Sequence, residues 1–358
     1  LQQRAIGAVD RAYRPLLQAH DIPGMAVGVT VNGVRQFVHY GVASRASNAP
    51  VTQRTLFEIG SLSKTFTATL AGYAEALGRL SLADTPGKFV PALRGTPLDR
   101  ATLLQFGTYT AAGLPLQFPD EITGTDEAIR WLRQFQPQVL PGAERRYSNP
   151  SIGLLGHATA VALGGDFGAL SESQLFPGLG LAHTAIRVPA AAQPDYAWGY
   201  NRANQPVRVN PGAFDAQAYG VKTTIVDMLR FVEANIDPRG LPPALRRGVE
   251  RTHVAHDQVG DLVQGLGWEQ YPWPVAPDRL LAGNANTMAL DAHPARALVP
   301  PRRATTPTLF SKTGSTGGFG GHAAFVPARG IGIVMLANRN IPNAERVKAA
   351  HAVLQAIG

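Results

Sequence analysis

The strand-like runs of this 358-residue chain lie at its two ends, and that distribution narrows the available folds more than any other feature. Near the start, Met25–Val31 and Val34–Tyr40 are joined by Asn32-Gly33, a dipeptide that tolerates the positive φ of a type I′ hairpin turn. Near the end, Leu309–Thr313, His322–Val326 and Ile331–Ala337 read as strands separated by Gly-rich or Pro/Gly turns. A lone hairpin is marginal in water. The two sets must therefore pair with each other, which predicts one antiparallel sheet built from both chain ends. Ala5, Ile6, Val9, Tyr13, Leu16 and Leu17 recur at helical spacing and predict a packed helix over residues 2–19. Asn343–Ile357, started by Pro342, predicts a closing helix.

Between these ends the pattern changes. Leu62, Phe66, Leu70, Tyr73, Ala74 and Leu77 form a helical stripe that stops at Gly78, a natural C′ residue, and further helical stretches are expected at 125–135, 150–163 and 224–236. The expected fold class is mixed α/β (α+β). Residues 1–60 and 305–358 form a sheet subdomain with flanking helices, residues 61–304 form a mainly helical and loop region, and the active site lies in the cleft between them. Single cores stop growing near about 250–300 residues, so the length suits one large unit or two subdomains sharing a cleft.

Zero cysteines exclude disulfides, thiolate nucleophiles and Cys-ligated metals together. No run approaches the roughly 20 apolar residues that cross a bilayer, so no membrane insertion is expected. The net charge of +8 would suit a polyanion. The cations are scattered, however, with only doublets such as Arg145-Arg146, Arg246-Arg247 and Arg302-Arg303, which describes a cationic surface rather than a nucleic-acid site. His253-x-x-His256 lacks an accompanying carboxylate–histidine set and is expected on a solvated loop or helix face. Gly314–Gly321 lacks the lysine of a phosphate-binding loop. Neither a metal nor another cofactor is expected.

The chemistry concentrates in three short motifs. In Gly60-Ser61-Leu62-Ser63-Lys64, Ser61 and Lys64 share a face of the first turn of the predicted helix. A cation is disfavoured at a helix N-terminus, which would lower the amine's pKa and suit an activated Ser–Lys nucleophile; alternatively Ser61 caps the helix and Lys64 is solvated. Tyr147-Ser148-Asn149 precedes a helix, and a phenol beside lysines can act as general acid or base. Lys312-Thr313-Gly314 ends a predicted strand, where a lysine and a hydroxyl suit a carboxylate and glycines let a substrate approach the backbone.

Ser-x-x-Lys, Tyr-Ser-Asn and Lys-Thr-Gly in this order resemble the signature of serine β-lactamases and penicillin-binding proteins. The tyrosine in the second motif is similar to class C, the AmpC-type cephalosporinases. Thr108-Tyr109-Thr110 with Gly113–Gln117, Ala218–Lys222, Leu266–Glu269 and Met335–Asn338 carry the resemblance across the chain. Ser315 departs from the alanine common after Lys-Thr-Gly, and Ala112 from a frequent glycine.

The resemblance implies hydrolysis of the β-lactam amide bond of cephalosporins and penicillins through a serine acyl-enzyme; the alternative is a D-alanyl-D-alanine carboxypeptidase or esterase of the same fold. It implies Ser61 as nucleophile, with Lys64 and Tyr147 as its activating pair. Asn149 and Gln117 would hold the amide side chain of the β-lactam, and Tyr219 would line the opposite wall. Lys312, Thr313 and Gly314, with Asn343 and Arg346 nearby, would receive its carboxylate. The backbone N–H groups of Ser61 and Ser315 would form the oxyanion hole. The implied partners are small-molecule β-lactam substrates and inhibitors, the implied state is a monomer, and the implied location is the periplasm, as a mature chain without its signal peptide.

Overall fold

A computed structural model describes residues 1–358. Its frame is a nine-stranded antiparallel sheet. In chain order the strands are β1 (Gly24–Val31), β2 (Val34–Gly41), β3 (Ala255–Val259), β4 (Leu262–Gly265), β5 (Glu269–Pro272), β6 (Arg296–Arg302), β7 (Thr308–Ser315), β8 (Gly320–Val326) and β9 (Ile331–Ala337). Across the sheet they run β6-β3-β4-β5-β7-β8-β9-β1-β2. The N-terminal hairpin thus pairs with the last strand, Met25 opposite Ala337 and Val31 opposite Ile331, as expected of a sheet made from both ends. Asn32 and Gly33 take φ of +51° and +82°, the pair of left-handed residues that a type I′ turn requires.

Both faces of the central strands are covered, so these strands are apolar without clean alternation. Met25, Val27 and Val29 of β1 and Ile331, Ile333 and Met335 of β9 pack with helix α1 (Gln2–Ala19) and the closing helix Asn343–Ile357. Ala26, Val334 and Leu336 face the opposite side, toward the helix Ile225–Ile236. That helix comes so close that a Cβ on Gly332 would lie 2.6 Å from Val232 Cγ1.

Within residues 61–304, expected to be mainly helix and loop, β3–β6 extend the sheet with strands from residues 255–302, which the sequence reading did not identify. Their sequences carry no apolar run because several of their polar residues are buried and bonded instead. Gln264 is fully buried, accepts from the Arg145 guanidinium and donates to the Gly265 carbonyl. His253 likewise leaves its expected solvated position: it bonds Asn235 Oδ1 at 2.9 Å and lies against Phe310, and burial lowers its pKa to about 4.

The remaining helices place the chemistry. Helix α2 (Ser63–Ala76) has few exposed residues because it sits between two cores. Phe66 and Leu70 pack toward the sheet, while Ala68, Ala71 and Ala74 pack against helix α3 (Asn149–Leu163) and the region around it. Its first turn faces the C-terminal end of β7.

Candidate active site

The chain reaches Ser61 from a short strand, Phe57–Glu58, turns at Gly60 with φ +52°, and passes through a 3₁₀ turn, Gly60–Leu62, into α2. Two glycines allow this turn to touch β7. A Cβ on Gly60 would lie 2.5 Å from the Ser315 nitrogen, and one on Gly314 would lie 2.1 Å from the Ile59 carbonyl oxygen and 2.9 Å from the Ser61 nitrogen. The backbones of Ser61 and Ser315 are therefore adjacent because neither contact point carries a side chain. No side chain caps the start of α2, so the capping reading of Ser61 is set aside. Its Oγ instead accepts a hydrogen bond from Lys64 Nζ at 2.7 Å.

Lys64 is fully buried and also donates to the Ala218 carbonyl at 2.9 Å. Burial brings its amine down from the ordinary 10.5 to about 8, against the opposing attraction of Tyr147. For the Tyr147 phenol, burial acts upward. The ammonium groups of Lys312 and Lys64, each 4.9 Å from the ring centroid, outweigh it and bring the phenol from 10 to about 7. Hydrogen bonding to Ser61 and Lys64 acts in the same downward direction. Ser61 thus sits beside two groups able to exchange protons near neutral pH.

Two further residues complete this electrostatic arrangement, and sequence reasoning gave neither a role. Arg145, read as part of a surface doublet, is buried; its guanidinium stands 5.6 Å from the Tyr147 ring and donates to Gln264 Oε1 at 2.8 Å and to the Met288 carbonyl at 2.7 Å. Glu269 Oε2 lies 3.7 Å from Arg145 and 3.9 Å from Lys312. The available signal for Arg145 was its offset of two from Tyr147, the strand period that puts both on one face. Glu269 stood out only as the end of the Leu266–Glu269 segment that carries the resemblance, since its partners arrive from two other segments.

A cleft of about 160 Å³ opens above these groups, lined by Ser61, Tyr147, Lys312, Thr313, Gly314, Ser315 and Asn343 among others. Lys312 is almost wholly buried and donates to the Thr313 carbonyl at 3.0 Å. Ser148 caps α3, accepting from the Ser151 N–H, and thereby sets Tyr147 and Asn149 on either side of it. Asn149 leaves its buried Oδ1 unpartnered while its N–H donates to the Leu116 carbonyl at 2.9 Å, next to exposed Gln117. Tyr219 is half-buried and follows Ala218, the acceptor of Lys64.

Arg346, expected near the substrate carboxylate, lines the space adjoining the cleft together with Ser315 and Asn343. It is 2% exposed, and its guanidinium donates to the carbonyls of Gly314 (2.9 Å) and Gly321 (3.0 Å), to Ser315 Oγ (3.0 Å) and to Asn343 Oδ1 (2.5 Å). It acts on the cleft through Ser315 and Asn343. The serine that departs from the family's usual alanine finds its bond here.

Comparison with known proteins matches the chain along its whole length. The family model described as Beta-lactamase matches residues 9–357. A β-lactamase of Pseudomonas fluorescens is 51% identical over 349 residues, covering 98% of each chain. Among solved structures, a β-lactamase/D-alanine carboxypeptidase from Pseudomonas syringae superposes with a TM-score of 0.96 at 46% identity, over 98% of each chain. A class C β-lactamase in complex with cefoxitin superposes with a TM-score of 0.96 at 42% identity, over 99% of each chain. With the whole length matched in sequence and in fold, this chain belongs to the β-lactamase family, in its class C, AmpC-type branch.

Proposed function

We propose that this class C enzyme hydrolyses β-lactams with Ser61 as its nucleophile and the Lys64/Tyr147 pair as its proton carrier. One observation carries the reading: Ser61 Oγ is hydrogen-bonded at 2.7 Å to a buried lysine of pKa about 8, beside a phenol of pKa about 7. Ser61 Oγ attacks the lactam carbonyl carbon and its proton passes to Tyr147 as phenolate. The C–N bond breaks, the nitrogen takes the proton from Tyr147, and Ser61 is left as an ester. Water then loses a proton to Tyr147 and attacks that ester, and Ser61 departs with its proton restored. The adjacent N–H groups of Ser61 and Ser315 receive the negative charge on the carbonyl oxygen, and stabilisation of that charge is usually what accelerates acyl transfer most.

Substrate binding is read from the lining for the carboxylate and from the family resemblance for Asn149, Gln117 and Tyr219. Lys312, Thr313 and Asn343 face the substrate carboxylate, Asn149 with its free Oδ1 and Gln117 hold the amide side chain, and Tyr219 forms the opposite wall. We assign cephalosporins and penicillins as the substrates and the periplasm as the location, since β-lactams act on wall synthesis outside the inner membrane; cell fractionation with activity assay checks the latter.

The decisive experiment incubates the purified protein with a chromogenic cephalosporin and follows absorbance together with intact mass. Many turnovers are expected, unaffected by chelator, and Ser61→Ala should lower kcat at least about a thousandfold and abolish the covalent adduct. The name of the Pseudomonas syringae relative joins β-lactamase to D-alanine carboxypeptidase. A parent adduct that persists after one turnover would favour the carboxypeptidase reading.

A further inference from the structure

Glu58 is a carboxylate in an unusual place. It is 2% exposed, three residues before Ser61, and no Lys, Arg or His nitrogen lies within ion-pair distance of it. Leaving such a group unpaired would be costly, and three donors from three separate segments satisfy it. Oε1 accepts from the Thr316 hydroxyl at 2.7 Å. Oε2 accepts from the Val209 N–H at 2.9 Å and from the Tyr196 hydroxyl. Tyr196 is fixed in turn, because the Arg208 guanidinium lies 3.9 Å from its ring centroid and donates to its carbonyl at 2.6 Å.

The position of these bonds gives them a consequence. Glu58 anchors the segment that leads into Ser61, and Thr316 directly follows Ser315. The Glu58–Thr316 hydrogen bond therefore ties together, from outside the cleft, the two backbones whose N–H groups point at the reacting carbonyl. The contacts at Gly60 and Gly314 permit the two backbones to approach; they supply no bond that holds them there. On the Ser315 side Arg346 bonds the Gly314 carbonyl and Ser315 Oγ, yet its hydrogen bonds do not extend to residues 57–62.

We infer that Glu58, through Thr316, is a positioning residue that sets the separation of the Ser61 and Ser315 N–H groups, and so the strength of the oxyanion hole. Glu58 touches neither the substrate nor the reacting atoms. The inference rests on the serine acyl-enzyme reading above. Losing one oxyanion donor costs about 10²–10³ in kcat; a loosened pair should lose about tenfold, because a misplacement below 1 Å already weakens such geometry.

The test compares the parent with Glu58→Ala, Glu58→Gln, Thr316→Val and Thr316→Ser. The infrared stretch of the acyl-enzyme ester carbonyl is recorded with a slowly hydrolysed β-lactam, beside kcat, KM and Tm. A carbonyl gripped by both N–H groups absorbs at low wavenumber. Glu58→Ala and Thr316→Val should move the band to higher wavenumber and lower kcat about tenfold with KM less affected. Glu58→Gln can accept at one atom and donate to Thr316 at the other, and Thr316→Ser keeps the hydroxyl, so both should return band and kcat to near the parent values. Should Glu58→Ala fail to fold, Thr316→Val decides alone. A parent band that stays in place in Thr316→Val, whatever the change in Tm, overturns the positioning role and leaves the serine reading standing. A parent with no ester band overturns both.

Discussion

At the scale of single residues, the site stores unfavourable electrostatics that the fold must offset. Lys64 is the clearest case. Holding its pKa at about 8 rather than 10.5 costs about 3 kcal/mol near neutral pH, taking about 1.4 kcal/mol per pKa unit. The sign follows from proton counting. Between about 8 and 10.5 the unfolded chain binds a proton at this lysine that the folded chain does not, so stability from this group rises with pH across that window and is lost as pH falls through about 8. Lys64→Met should therefore raise Tm at pH 7 while abolishing turnover, and its advantage over the parent should shrink as the pH approaches 10; thermal melts at several pH values read both effects. Tyr147 gives the kinetic counterpart. With its phenol at about 7, kcat/KM should climb as pH rises through about 7 while the phenolate forms, then level off, and Tyr147→Phe should abolish activity across the range.

At the scale of elements, the site is a contact between a helix start and a strand end. The 3₁₀ turn before α2 brings Ser61, β7 brings Lys312 and Ser315, and the start of α3 brings Tyr147, with no cap on the first of these three. The contact depends on Gly314, where a Cβ would lie 2.1 Å from the backbone oxygen of Ile59. Backbone cannot swing aside as a flexible side chain can. Gly314→Ala should force β7 away from the 3₁₀ turn, part the Ser61 and Ser315 N–H groups, and slow acylation about a hundredfold, read as the rate of adduct formation by mass spectrometry. The helices around the site were legible from periodicity: 2–19 and 343–357 appear at those bounds, and 125–135, 150–163 and 224–236 appear within a residue or so. The strands β3–β6 were not. Their buried side chains include Gln264, Glu269 and Gln270, whose burial is supported by bonds or ion pairs, and a polar strand gives no apolar period to read.

At the scale of the whole molecule, two cores of comparable size flank the sheet, and a third fills the helical region. The core between sheet and helices joins segments far apart in the chain. Phe231 stacks on Phe66 of α2 at 4.1 Å and lies near Trp268, which meets Phe325 of β8 edge-on at 4.8 Å. Phe231→Ala should cost about 3–5 kcal/mol, seen as a lower urea midpoint, while kcat per folded molecule stays near the parent value because this ring does not line the cleft. With zero cysteines, such packing and the pairing of the two chain ends hold the fold without any covalent staple.

By itself the sequence determined what local physics can carry: the amphipathic helices, the Asn32-Gly33 hairpin, a sheet requiring both ends, and three motifs whose residue types suit acyl transfer. Each depends on neighbours a few residues apart, or on the fact that a lone hairpin cannot stand. Only the tertiary structure decided that Ser61 bonds Lys64 rather than capping a helix, that Arg145 is buried beside Tyr147, and that Arg346 grips Gly314 and Ser315 beside the cleft. It also decided that Glu58 reaches Thr316, 258 positions further along the chain. Those outcomes rest on burial and on charges within a few ångströms of one another, and both are set by which distant segments pack together.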